Sequence, residues 1–259
     1  MSESLAREAW REIGPRVLLP GAVGVIVLGG WQATARLGAI PDVLLPAPTS
    51  ILARLVDAGP EIAHHAGVTG TESLLTFCIA AVVGIVIALV MSASAWLRDA
   101  LYPNLVLFQV IPKVALAPLF VIWMGIGSPA RVTFAVFISL FPVAIACFAG
   151  LSRADRHILL LCRAIGATPL QTFVSVRIPF ALPYLFSGLK IAATMAVIGV
   201  VVGEFVTSQA GIGYFILHAS SRADTAGIFA ALIGLCVVGF ALYALVVLAE
   251  AGARRWWRG

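Results

Sequence analysis

Long stretches without a charged side chain run through this sequence, and they limit what it can fold into. Val17–Ala35, Ser73–Leu97, Val132–Ser152 and Thr225–Ala249 contain no Asp, Glu, Lys or Arg. About 20 apolar residues in a helix cross a hydrocarbon layer about 30 Å thick. Two further stretches, Ala100–Ala130 and Ile178–Gly203, carry one charge each, Lys113 and Lys190. The expectation is an all-α integral membrane protein with six transmembrane helices and both termini on one side. Composition agrees, since 61% of the 259 residues are hydrophobic and 11% are charged, against about 25% charged in a soluble domain. So few charges cannot give a body of this size a polar skin, which excludes a soluble enzyme, a nucleic-acid-binding domain and a disordered chain.

The net charge of +5 reads as an orientation signal. With both ends placed inside, the inner segments hold Arg7, Arg11, Arg16, Arg98, Arg153, Arg156, Arg163, Arg177, Arg254, Arg255 and Arg258. The outer segments hold Arg36, Arg54, Arg131 and Arg222. That excess of inner arginine places both termini in the cytoplasm, with Trp256 and Trp257 as interfacial anchors. Ala33-Thr34-Ala35 resembles a signal-peptide cleavage site, but the apolar run before it exceeds the 7–15 residues usual for such a peptide, so it is read as a span. Cys78, Cys147, Cys162 and Cys236 lack CxxC spacing and are read as free thiols. His64, His65, His157 and His218 lack metal-ligand spacing and are read as surface or interface residues.

Three connections stand out. Arg36–Glu72 is an acidic outer segment with a short helix expected after Pro48-Thr49, and Glu72 opens the second span. Ser208–Asp224 is a short outer loop holding the apolar run Ile212–Leu217. The inner segment Arg153–Arg177 is too polar for lipid and too apolar for a free linker. Its signals predict two short helices joined at Gly166, a residue suited to positive φ after a helix end. Thr168 is an N-cap and Pro169 a first helical residue. Leu170, Phe173, Val174 and Arg177 form one face by their spacing, and Pro179 and Pro183 end the segment and open the fifth span. Such a loop either docks a cytoplasmic partner or lies among the headgroups.

The residues Gly166, the nine that follow it, and Val176-Arg177-Ile178-Pro179 resemble the cytoplasmic motif of type I ABC importer permeases. That motif runs Glu-Ala-Ala, three residues, Gly, nine residues, Ile-x-Leu-Pro. Leu160, Leu161 and Cys162 stand here where the motif has Glu-Ala-Ala. Leu45–Thr49, Ile111–Phe120, Trp123–Gly127, Gly203–Phe205 and Gly211–Tyr214 also look like that family, in its nitrate, sulfonate and taurine branch.

The resemblance implies a type I permease fold and a bacterial inner-membrane location. It divides the chain into an N-terminal segment, first helix and outer linker (1–64), a permease core (65–250) with the loop 153–179, and a basic tail (251–259). It implies a homodimer between a substrate-binding protein and two ATPase subunits, with lipid around it and no nucleic acid. ATP and Mg would be bound by the ATPase, because the chain has no GxxxxGK[ST] phosphate loop. Arg163, Gly166, Ala167, Thr168, Pro169, Phe173, Arg177 and Pro179 would then form the ATPase-coupling loop. No residue is catalytic and none is assigned to a metal or cofactor.

Pathway candidates are Pro112, Lys113, Pro118 and Glu204. An unpaired ammonium inside a span costs at least about 2.5–3.5 kcal/mol. Lys113 therefore reads either as a cation lining the route of an anion or as a side chain reaching the interface or backbone carbonyls. Glu204 reads as part of an outer gate or as an ion-pair partner of Arg131 or Arg222, and Lys190 as an interfacial anchor. Phe134, Phe137, Phe141 and Phe148 share a helix face. Gly84, Ala88, Gly227, Gly234 and Gly239 suit close helix packing.

Overall fold

The computed structural model describes residues 19, 21–38, 40–207 and 209–258, with side chains to Arg255. The expected roles of Arg7, Arg11, Arg16, Trp256, Trp257 and Arg258 fall outside what is described. The described residues are helical and include no strand. Helix α1 covers 21–36, so the start of the first expected span, Val17 included, also lies outside the described residues.

Then come α2 (Pro48–Asp57), α3 (Gly59–Ala93), α4 (Ala95–Val110), a 3₁₀ turn (Lys113–Leu116) and α5 (Ala117–Met124). They are followed by α6 (Ser128–Ser152), α7 (Arg156–Ala164), α8 (Pro169–Thr172) and a π turn (Phe173–Arg177). The chain continues through α9 (Ile178–Thr207), α10 (Ile212–Ser221) and α11 (Thr225–Arg258). Among the described residues, α3, α6, α11 and the continuous segment Pro169–Thr207 are long and apolar enough to cross a membrane.

Four expectations change. The stretch Ala100–Ala130 is not one straight span: α4 and the segment Lys113–Met124 meet at 92°. Pro112 disfavours helical ψ at the residue before it, and Ile111 is extended with ψ 131°. The second span begins earlier than expected, because α3 starts at Gly59 and has 35 residues. At 1.5 Å per residue it is about 52 Å long, and Glu72 lies inside it. Pro179 and Pro183 do not interrupt the chain. Ile178 N–H bonds the Phe173 carbonyl five residues back, and this wider turn shifts the ladder where Pro179 has no donor to offer. Finally, the expected outer loop contains α10, whose apolar run follows Gly211 at φ +106°.

The most extensive helix contact is between α6 and α9. Glycines let their backbones approach. A Cβ at Gly150 would lie 2.8 Å from Ala181 Cα, one at Gly188 2.7 Å from Ala146 Cβ, and one at Gly199 2.7 Å from Ala135 Cα. Gly84 does the same for α3 on α6, with a Cβ 2.7 Å from that of Val143. Gly234 approaches Ile62 in the same way, whereas Gly239 has open space and carries no packing role. Phe134, Phe141 and Phe148 are buried, so that face of α6 serves helix contact.

The outer segment ties down at both ends. Gln32 and Thr49 exchange two hydrogen bonds of 3.1 and 3.2 Å, and Arg54 donates to Asp224 at 2.8 Å. Burial raises the Asp224 carboxyl. Hydrogen bonds from Arg54 and the Gly227 amide, with the charges of Arg54 and Arg222, outweigh it and hold the group below its ordinary value. Gly227 therefore belongs to a cap at the start of α11.

Overpacking of such a contact costs about 1–3 kcal/mol. Gly188→Val is expected to lower the thermal unfolding temperature in detergent, while Gly239→Ala leaves it within error. Equal behaviour of the two variants would show that the α6–α9 approach is not tight.

Candidate functional site

Three groups of residues stand out along the helices, their ends named inner and outer by the sides expected from the arginine placement. At the inner end, α7 starts at Asp155, whose side chain accepts from the His157 N–H at 2.7 Å. It ends at Gly166 with φ +74°. The Gly166 N–H bonds Arg163 C=O and the Ala167 N–H bonds Cys162 C=O, at 3.1 and 2.9 Å. This closing pair satisfies two end carbonyls and needs the left-handed conformation that glycine adopts without strain. Thr168 and Gln171 then cap α8 reciprocally, at 3.2 and 2.8 Å. Both corners of the loop are thus fixed by local chemistry, as the spacing indicated.

The side chains divide over two faces. Arg163, Ala167, Pro169, Phe173 and Arg177 line a cavity of about 620 Å³ against Leu89, Ser92 and Ala93 at the inner end of α3. Leu160, Leu161, Ile165, Leu170 and Val174 are exposed. The face expected from Leu170 to Arg177 is therefore split, because the π turn changes the register between its members. The exposed leucines at 160 and 161 occupy the motif positions read only as departures from Glu-Ala-Ala, so their apolar character was the available cue.

In the middle, Pro112 precedes the 3₁₀ turn and Pro118 lies in the first turn of α5. Lys113 Nζ sits 4.9 Å from the centre of the Phe141 ring. Such a contact contributes up to about 2 kcal/mol when shielded from water. Phe137 packs against Phe108, Phe120 and Phe141 with ring centres 5.2–6.1 Å apart. Among the described residues Lys113 forms no ion pair, and the aromatic contact replaces the backbone-carbonyl pairing considered for it.

At the outer end, Glu204 pairs with neither Arg131 nor Arg222. It is 1% exposed; its Oε1 accepts from Thr69 Oγ1 and its Oε2 from the Gly213 N–H, both at 2.7 Å. Thr69 also accepts from the Ile212 N–H at 2.8 Å, and His65 Nδ1 from the Gly211 N–H at 3.0 Å. The open amides at the start of α10 are thus satisfied by α3 and α9. His65 is buried, correcting its reading as a surface histidine. A Cβ at Gly211 would lie 2.1 Å from Glu204 Oε1. The expected Arg131 partner is instead Glu72, in a two-bond contact of 3.0 and 2.5 Å. The Lys190 Nζ lies 2.6 Å from Glu250 Oε2, with Arg254 bonded to the same carboxylate.

Residues 80–255 match the family described as binding-protein-dependent transport system inner membrane component. The chain belongs to that family: it is an ABC transporter permease component, a transport subunit and not an enzyme. It is 37% identical to a probable ABC transporter permease protein of Haemophilus influenzae over 88% of this chain and 93% of the relative. Identity is 33% with the formylaminopyrimidine transport permease protein ThiX of Halalkalibacterium halodurans, over 83% and 86%. It is 28% with the putative aliphatic sulfonates transport permease protein SsuC of Bacillus subtilis, over 93% and 86%. The fold matches a chain of the inward-facing MetNI methionine ABC transporter with a TM-score of 0.62 at 20% identity, over 75% of this chain and 94% of that one.

Leaving a buried donor unpaired costs about 1–3 kcal/mol. Glu204→Ala orphans the Thr69 hydroxyl and the Gly213 amide, so it is expected to lower the unfolding temperature and speed amide exchange at residues 211–213. Glu204→Gln keeps an acceptor and is expected to cost less. Unchanged exchange in Glu204→Ala would show that the carboxylate does not hold the start of α10.

Proposed function

We propose that this chain forms the translocation pathway of an ATP-driven importer in the bacterial cytoplasmic membrane, as two copies between a solute-binding protein and two ATPase subunits. Six spans with both ends in the cytoplasm complete this reading. ATP and Mg act in the ATPase. The carrying observation is the Gly166 loop: it is rigid at both corners, exposes Leu160, Leu161, Ile165, Leu170 and Val174, and leads through α9 without a break. A cytoplasmic ATPase that seats on these apolar side chains would move α6 and α9 as it closes and opens. Arg163, Gly166, Ala167, Thr168, Pro169, Phe173, Arg177 and Pro179 shape that loop. The loop then alternates the access of a route marked by Pro112, Lys113 and Pro118, with Glu204 holding its outer end.

The solute we favour is a small organic anion of the sulfonate or taurine kind, which Lys113 would attract. A second reading is a planar heterocycle carrying a negative group, favoured by the ring cluster of Phe108, Phe120, Phe137 and Phe141 beside that lysine.

A β-branched residue in the left-handed region is strained by about 1–2 kcal/mol. Gly166→Val is expected to abolish most solute uptake in vesicles while the chain still inserts and reaches normal levels. Normal uptake with intact ATPase recovery would remove the coupling role. Lys113→Met is expected to raise KM for the anion about tenfold, equal to about 1.4 kcal/mol. An unchanged KM would take Lys113 off the route.

A further inference from the structure

The cavity between the loop and α3 is built differently from the exposed face beside it. Its polar lining is Arg163, Arg177, Ser92 and Thr172, and its walls include Leu89 and Phe173. A second cavity of about 280 Å³ adjoins it, shares Ser92 and Arg177, and adds Arg98. No acid lines either cavity among the described residues. Arg98 is already paired with Asp99, but Arg163 and Arg177 form no ion pair among the described residues. Two arginines and the Ser92 hydroxyl lining one space, without a counter-ion, call for an anion with several acceptor oxygens.

The ATPase is not the natural source of that anion. On α7, Leu159 and Arg163 face the cavity, whereas Leu160, Leu161 and Ile165 are exposed on other sides. Beside the end of α3 the cavity sets the polar Ser92, Arg163 and Arg177 against the apolar Leu89, Leu159 and Phe173. That pairing suits a headgroup with its chain: basic sites between helices on the cytoplasmic side hold phosphate-bearing lipids.

We propose that this cavity binds a phosphate group, with Arg163 and Arg177 as its two charged contacts and Ser92 as a hydroxyl donor, the Thr172 hydroxyl being already given to the Thr168 carbonyl. The cavity lies on another face of the same loop than the exposed Leu160, Leu161 and Ile165 of the proposed ATPase contact. The phosphate can come from an anionic phospholipid or from free inorganic phosphate, and the two sources separate experimentally.

The test uses the purified full-length chain in nanodiscs of phosphatidylcholine with and without phosphatidylglycerol, read by native mass spectrometry of retained lipid. Thermal unfolding with inorganic phosphate alone forms the second arm. Phosphatidylglycerol is expected to be retained at least about tenfold over phosphatidylcholine, and either Arg163→Gln or Arg177→Gln to cut that preference at least about fivefold. Arg156→Gln, an exposed arginine outside the cavity, serves as control and is expected to change nothing. Stabilisation by inorganic phosphate in the wild type, lost in the two variants, would assign the site to free phosphate. Arg163→Lys reports on folding and is expected to keep part of the preference. No preference for phosphatidylglycerol together with no phosphate stabilisation would overturn the proposal. So would equal loss in Arg156→Gln, which would reduce the effect to general surface charge.

Discussion

The close approach of α6 and α9 is the constraint on which the rest of the structure depends. Lipid supplies no hydrophobic drive between helices, so association in a bilayer rests on packing at short range. Gly150, Gly188 and Gly199 let the two backbones meet along most of their length, and α3 joins through Gly84. The only chain between α6 and α9 is the loop formed by α7, α8 and the π turn. A displacement of that loop therefore reaches both helices at once, because neither can move far without the other. In the proposed transport cycle this makes the loop a lever.

Around that pair the charges are arranged by side. The outer arginines at 54 and 131 are neutralised by Asp224 and Glu72, and the inner Lys190 and Arg254 share Glu250. Among the described residues, Arg163 and Arg177 are left without acids. The outer end of α9 turns into α10 over a buried knot of His65, Thr69 and Glu204, which satisfies amides that lipid could not.

Much of this was legible in the residues because the signals were local. Gly166, Thr168 and Pro169 specify their turn and cap with their own side chains and φ angles, and both appear as expected. The uncharged stretches likewise marked α3, α6 and α11, and the stretch interrupted only by Lys190 marked α9. What escaped depended on partners far along the chain. His65 and Gly211 are 146 residues apart, and nothing local to a histidine in an apolar helix says which amide it will accept. Glu204 was noticed, as part of an outer gate or as an arginine's partner, because opposite charge is visible in a sequence while a glycine amide in need of an acceptor is not. Pro112 was read as a pathway candidate, but the 92° bend beside it, at an extended Ile111, was not expected from an apolar stretch long enough for one span. The π turn, which keeps α8 and α9 continuous across Pro179, has no spacing signature and so went unread.

The central claim is that α6 and α9 move as one unit driven by the loop. It is tested most directly by spin-label distances in the assembled transporter, with and without ATP. After replacing Cys78, Cys147, Cys162 and Cys236, labels at the exposed positions Ser152 and Phe180 report on the inner ends of the two helices. The account predicts that the Ser152–Phe180 distance within one copy stays the same in both states, while the Ser152–Ser152 distance between copies changes. A change within the copy, with the distance between copies constant, would contradict it.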